Sequence, residues 1–218
     1  MSSQEPAIRW DWVFSHLGDI EQRLVEHLVL SVIAVAVGFA ITFLLSLAIR
    51  RFTRLYDPIT WLTGVLYTIP SLALFALLVP FTRLTIWTAE IGLVSYTLLI
   101  LIRNIIAGFR SVPGDVREAA MGMGYAPNQL LWRVEVPLAL AVIIAGVRVA
   151  AVTTIGLTTV TALIGQGGLG FLILAGIQQF FPTLIIVGAV LSVVVAVLAD
   201  VALVWVQRWA TPWTRVRS

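Results

Sequence analysis

The sequence predicts an all-α membrane protein, and three observations lead there. The 218-residue chain is 60% hydrophobic and 11% charged, with a mean hydropathy of +1.00, whereas soluble domains carry about 25% charged residues. Its apolar residues gather into runs near the ~20 residues that a helix needs to cross a bilayer. Its arginines collect beside alternate runs, which is how membrane topology is written into a sequence.

Five spans follow in order. Leu28 to Ile49 is 22 residues without a charge. Pro58 to Pro80 is a second uncharged run with Pro70 at its middle, where a freed backbone carbonyl needs a neighbour or water. The third lies between Ile91 and Phe109, bounded by Glu90 and Arg103, the fourth from Leu138 to Ile164, and the fifth from Thr183 to Val206. Residues 1–27 carry five acids and two arginines and lack the basic start and cleavage site of a signal peptide, so no processing is expected. The organisation expected is an external segment over 1–27, a transmembrane domain over 28–206 and a cytoplasmic tail over 207–218.

Charge sets the orientation. Arg50, Arg51 and Arg54 follow the first span, Arg103, Arg110, Arg117 and Arg133 border the insertion after the third, and Arg208, Arg215 and Arg217 end the chain. These ten share one face, against Arg9, Arg23 and Arg83 on the other, which predicts N-terminus outside and C-terminus cytoplasmic. Trp61, Trp87, Trp205 and Trp209 fall near span ends, where amphipathic rings settle.

Composition also excludes chemistries. There is no cysteine, hence no disulfide or thiolate metal site, and His16 and His27 are too few and too peripheral for a metal cluster. All 14 basic residues are arginine, so no G-x-x-x-x-G-K-[ST] phosphate loop exists here, and ATP would have to sit on another chain. The arginines are dispersed among apolar segments, which argues for topology and against nucleic acid. An ion-coupled secondary transporter or small channel is the alternative class. It would place acids near midplane or show inverted repeats, and Glu90 and Asp200 stand near span ends while five spans do not halve. No Ser/His, paired-Asp or metal constellation suggests an intramembrane enzyme.

The insertion EAAMGMGYAPNQLLWRVEVP, Glu118 to Pro137, interrupts the apolar pattern. Pro113 suits a helix start, and Val116, Ala119, Ala120 and Met123 form one apolar stripe opposite Asp115, Arg117 and Glu118. Gly124 can take positive φ and end that helix. Pro127 is placed to open a second short helix, expected to stop at Pro137. Small alanines permit close approach of a partner surface, and Leu131 and Trp132 could serve as knobs for a groove. Without further information an amphipathic hairpin resting on lipid is the competing reading.

The spacing from Glu118-Ala119-Ala120 through Gly124 to Val134 and Val136-Pro137 resembles the EAA loop of ABC-importer permeases. The stretches HLVLSVIAVAVG (27–38), TIPSLALFAL (68–77), YTLLILIRNIIAG (96–108) and GVRVAAVTTIGLTTVTALIGQGGLG (146–170) extend the likeness. Together they resemble permeases for osmoprotectants such as glycine betaine, carnitine and choline, over residues 27 to 206. Val134 and Val136 replace the usual Ile and Leu, and Met121 replaces an arginine. The resemblance implies five transmembrane helices with a cytoplasmic helix–turn–helix coupling loop between the third and fourth. It implies a bacterial inner-membrane location, a second permease copy or close relative, two ABC ATPase subunits that bind ATP and Mg, and an external substrate-binding protein. It implies coupling through Glu118, Ala119, Ala120, Gly124 and Pro137.

Three further groups stand out. Gly165-Gln166-Gly167-Gly168-Leu169-Gly170 formally satisfies G-x-G-x-x-G, yet it follows a membrane helix and lacks the acid ~20 residues on. It reads instead as a tight, flexible external turn and candidate gate. Thr154, Thr158 and Thr161 make a polar stripe on the fourth span, unmatched on the first, open to two readings: helix packing or lining of a translocation path. Arg148 and Asp200 are intramembrane charges, read as an ion pair. Tyr67, Phe75, Tyr96 and Phe171 could offer cation–π contact but are not assigned to substrate.

Overall fold

The computed structural model describes residues 8–213, which include ten α-helices and no strand; Arg215 and Arg217 of the topology argument lie outside them. Helix α1 (Trp10–Ser15) leads into α2 (Leu17–Arg51). The bent pair α3 (Tyr56–Thr68) and α4 (Ser71–Thr82) precedes α5 (Ile86–Arg110). Short α6 (Gly114–Gly122) and α7 (Pro127–Leu130) form a hairpin that runs into α8 (Val136–Thr158), followed by α9 (Gly168–Gln178) and α10 (Pro182–Ala210). Four helical stretches are long and apolar enough to cross a membrane, five if the bent pair counts as one span. Trp61, Trp87, Trp205 and Trp209 are all exposed near helix ends.

Helix α2 begins at Leu17, well before the apolar run that starts at Leu28. Its first turns are amphipathic: Ile20 and His27 are buried while Asp19 and Glu21 are exposed, and Arg23 pairs with Glu26 at 2.9 Å. The backbone N–H of Arg9 donates to Thr183 Oγ1 at 3.0 Å, and Trp12 sets its ring edge-on to Phe181 at 5.6 Å. The start of the described chain, at Arg9 and Trp12, is therefore docked on the α9–α10 corner.

The apolar run from Pro58 to Pro80 is not one straight helix. It breaks by 98° between α3 and α4, because the residue before a proline is pushed out of the α region. Ile69, ahead of Pro70, has ψ 127°. Its carbonyl, lost to the helical ladder, accepts the hydroxyl of Tyr96 from α5. A neighbour thus satisfies the break.

Helix α5 is the centre of the bundle, with Leu93, Leu101, Ile102 and Ile105 wholly buried. It packs between α2 and α8 and also holds α3 and α4. Lipid offers no hydrophobic drive for helices to associate, so small residues that allow close contact matter most. Along α2 the buried row Ser31, Ala34, Gly38, Thr42 and Ser46 supplies such a seam, and a Cβ at Gly38 would overlap the Thr97 hydroxyl. The hydroxyls of Thr42 and Ser46 bond back to carbonyls four residues earlier at 2.7 Å, which hides their polarity within the helix. The expectation that the first span lacks a hydroxyl stripe is corrected: three such residues sit there, made inconspicuous by the alanine and glycine between them.

One boundary in the insertion also differs. Pro137 does not end a helix. Residues 131–135 form a single π-turn, and the helical run continues from α7 through it into α8 with Pro137 in the first turn. The wider turn removes the conflict that a proline creates inside a regular α-helix.

Gly38→Val should disrupt the α2–α5 seam, at a cost of about 1–3 kcal/mol or more for an overfilled contact. Thermal unfolding of the purified protein should show a lowered Tm. Gly18→Ala, where a Cβ meets nothing within 4 Å, should leave Tm unchanged.

Candidate functional site

The hairpin between α5 and α8 starts at Pro113, which caps α6 in an extended conformation. Helix α6 ends as its glycine dictates. Gly124 has φ 82°, Met123 N–H donates to Ala119 O at 3.0 Å, and Tyr125 N–H reaches back to Ala120 O at 3.1 Å. These bonds satisfy carbonyls that a helix end would otherwise leave unpaired. Past the turn, Gln129 Oε1 accepts the N–H of Ala126 at 3.0 Å and fixes the start of α7.

Ala120 is buried against the body of the chain, while Glu118, Ala119 and Gly124 are exposed. Of the expected apolar stripe, Val116, Ala119 and Met123 are exposed and Ala120 is buried, so most of it stays uncovered within this chain, and neighbouring Met121 is exposed as well. Leu131 is not a free knob: it is buried in a cluster with Leu101, Ile105, Phe109 and Ala139. The π-turn rotates it inward. Trp132 remains half exposed, with its ring 6.0 Å from Phe43 of α2.

What holds the hairpin is a group the sequence did not single out. Glu135, only 3% exposed, forms ion pairs with Arg50, Oε2 to Nε at 2.7 Å, and with Arg117, Oε1 to Nε at 3.1 Å. Arg117 also donates to the Phe109 carbonyl. One buried carboxylate therefore ties the end of α2, helix α6 and the root of α8 together. Arg117 is turned inward here, away from the solvent face its helical position suggests. The available signal was Glu135 itself, an acid three residues before an apolar span in an arginine-rich stretch.

Arg148 and Asp200 meet as a bidentate pair, Nε to Oδ1 at 2.9 Å and Nη2 to Oδ2 at 3.0 Å, the geometry in which guanidinium and carboxylate bind most strongly. Gln207 accepts from Arg148 Nη1 at 3.4 Å and donates to the Ala141 carbonyl at 3.2 Å. The group joins α8 to α10.

At the bundle end away from the hairpin, Thr154, Thr158 and Thr161 are all buried. Thr158 donates to Thr154 O and Thr161 to Thr158 O, both at 2.8 Å, and Ser31 of α2 lies 3.0 Å from the Thr158 hydroxyl. His27, wholly buried, bonds the Ile155 carbonyl through Nε2 at 3.1 Å. The glycine string follows these residues after a 3₁₀ turn over 160–164. Gly165, Gly167 and Gly168 have φ of 76°, 132° and 43°. A Cβ on Gly168 would lie 2.5 Å from the backbone nitrogen of His27, and one on Gly170 would strike the Thr159 carbonyl. The string forms a close-packed corner that seats α9 against α2, and of its glycines Gly165 alone has open space around it. The aromatic candidates are engaged: Phe75 and Tyr96 are buried, Tyr67 stands edge-on to Tyr96 at 5.8 Å, and Arg23 lies 4.4 Å over Phe171.

Comparison with known proteins adds the family context. The family model described as binding-protein-dependent transport system inner membrane component matches residues 34–216. The choline transport system permease protein OpuBB of Bacillus subtilis is 33% identical, over 89% of this chain and 90% of its own. The glycine betaine/carnitine/choline transport system permease protein OpuCD of the same organism is 36% identical, over 89% and 86%. A chain from the MetNI methionine ABC transporter, solved in inward-facing conformations, superposes with a TM-score of 0.75 over 94% of this chain and 100% of that one. At 21% identity that likeness is one of fold.

If the Arg148–Asp200 bond acts as one unit, Arg148→Ala and Asp200→Ala should not add. The double variant should lower Tm about as much as the worse single one. Additive shifts would show that each side chain acts alone.

Proposed function

The chain belongs to the family of binding-protein-dependent transport system inner membrane components, and from that we propose that it carries quaternary ammonium osmoprotectants such as glycine betaine, carnitine and choline. Membership makes it a multi-pass plasma-membrane protein and the permease subunit of an ATP-driven importer, with hydrolysis left to a separate ATPase. The substrate class is supported by relatives named for choline and for glycine betaine/carnitine/choline transport.

In this reading the chain crosses the membrane five times, the bent α3–α4 pair being the second crossing. Residues 1–27 begin outside, 28–206 form the transmembrane domain, and the hairpin and the 207–218 tail are cytoplasmic. The arginine asymmetry supports that orientation. The permease pairs with a second copy or a close relative in the lipid bilayer, receives substrate from an external binding protein, and is driven by two ATPase subunits that hold ATP and Mg.

The observation that carries the coupling role is a hairpin with an exposed tip and a buried root. Glu118, Ala119 and Gly124 are uncovered beside exposed Met121 and Met123, a surface suited to a partner groove. Ala120 packs inward and fixes the tip, Glu135 anchors the root, and Pro137 marks the entry into α8. Movement of an ATPase would push the tip and load α2 and α8 together. Thr154, Thr158 and Thr161 with the corner of Gly165, Gly167, Gly168 and Gly170 would wall the outer end of the pathway. The hydroxyls of Thr158 and Thr161, bonded within the chain, fit a wall better than a substrate contact. Arg148 and Asp200 would keep α8 and α10 moving as a unit.

Uptake of labelled glycine betaine, choline and carnitine by cells with and without this chain tests the substrate class; equal uptake of all three by both would refute it. Gly124→Val tests the hairpin. A Cβ there meets nothing within 4 Å, so the effect must come from φ of 82°, which β-branched residues resist. The variant should insert normally yet lose uptake and transport-stimulated ATPase activity. Normal uptake would remove the hairpin from the mechanism.

A further inference from the structure

We propose that the cavity beneath the hairpin binds a phosphate-type anion, supplied by the headgroup of an anionic phospholipid in the leaflet on the hairpin's side. The cavity, about 220 Å³, is lined by Arg50, Arg110 and Arg117 together with Ser46, Thr53 and Tyr56. Three guanidinium groups from three elements face one small space. The proposal goes beyond the transport reading and does not depend on which partner the hairpin meets.

The charges around this space do not balance. Among the described residues the carboxylate paired with any of the three is Glu135, which takes Arg50 and Arg117. Arg110 instead lies 4.5 Å over the Tyr56 ring. One negative charge against three positive leaves an excess of two in a space partly withdrawn from water, where like charges repel more strongly than in solution. Glu135 meets Arg50 and Arg117 at their Nε atoms and the Phe109 carbonyl takes Nη2 of Arg117, which leaves the terminal N–H groups of Arg50 and Nη1 of Arg117 to serve a ligand. A phosphodiester presents two charged oxygens, and guanidinium forks suit them in geometry as well as in charge.

Depth selects the source. Helix α2 ends at Arg51, α5 ends at Arg110, and α3 begins at Tyr56. Three apolar elements thus terminate around the cavity, at the level where spans pass from hydrocarbon to headgroups. Ile49 and Ile106 form its wall toward the bundle, and exposed Trp61 on α3 lies one to two turns beyond Tyr56, on the hydrocarbon side of the cavity. A lipid phosphate reaches this depth without leaving its leaflet. A soluble anion would have to come to it.

The test uses the full chain in its native assembly, placed in nanodiscs of phosphatidylcholine with increasing phosphatidylglycerol, with retained lipid counted by native mass spectrometry. Wild type should retain phosphatidylglycerol selectively. Arg110→Gln should raise the half-saturating fraction about tenfold, the size of losing one charged hydrogen bond, and Arg110→Lys should fall between. Arg54→Gln, an exposed arginine outside the cavity, should change nothing. Equal losses from Arg54→Gln and Arg110→Gln would mean diffuse surface attraction and overturn the site. In a second arm, inorganic phosphate is added to discs of phosphatidylcholine alone. Arg110-dependent stabilisation by phosphate, without phosphatidylglycerol selectivity, would overturn the lipid source. No response in either arm would overturn the proposal whole.

Discussion

Gly38 of α2 lies so close against Thr97 of α5 that there is no room for a side chain, and the close approach of α2 to the central helix rests on that contact. Two long helices can approach this closely only if the polar groups at the seam are already satisfied. Ser31, Thr42 and Ser46 achieve this by bonding to carbonyls of their own helix. With α2 and α8 both drawn onto α5, the bundle gains the dense van der Waals packing that stands in for a hydrophobic drive inside a membrane. Gly146 against Asn104 repeats the device on the α5–α8 side.

Polar anchors then cluster at the two ends of this apolar stack. At one end Glu135 gathers Arg50 and Arg117; at the other, His27, Ser31 and Thr158 cross-link α2 to α8. Breaking a buried pair leaves an uncompensated charge, so such anchors resist sliding more than apolar contacts do. The same two helices are pinned at both ends. A load applied at the hairpin is therefore carried along their length and is not absorbed by local slippage.

Much of this was legible in the sequence, and what was not has physical causes. Uncharged runs located the long helices, and Gly124 located the turn of the hairpin, since positive φ there needs a residue without a Cβ. Ends were less legible. Helix α2 extends to Leu17 because Ile20 and His27 find tertiary partners that hydropathy cannot show. The proline at 70 was read as a tolerated irregularity; the chain bends by 98° there, and the carbonyl of Ile69 is met by the hydroxyl of Tyr96, a partner that sequence spacing does not reveal. Pro137 misled for the opposite reason: a π-turn, which has no simple sequence signature, lets the helix pass through it. The inward turn of Leu131 follows from that same extra residue per turn, whereas Arg117, on α6, turns inward to meet Glu135 and the Phe109 carbonyl.

The hairpin separates two tasks that a single surface could not perform well. A docking face must be free to meet a partner and release it, which requires exposed, small and apolar residues; Ala119, Met121, Met123 and Gly124 are of that kind. A root that bears load must not yield, which requires buried contacts between opposite charges, and Glu135 supplies them with Arg50 and Arg117. Were the carboxylate at the tip and the alanines at the root, contact with a partner would compete with the bond that holds the hairpin in place. The π-turn makes the division possible, because it rotates Leu131 and Glu135 inward while α6 keeps its motif face uncovered. Glu118, although charged and part of the motif, forms no ion pair among the described residues, so its charge remains available on the exposed face.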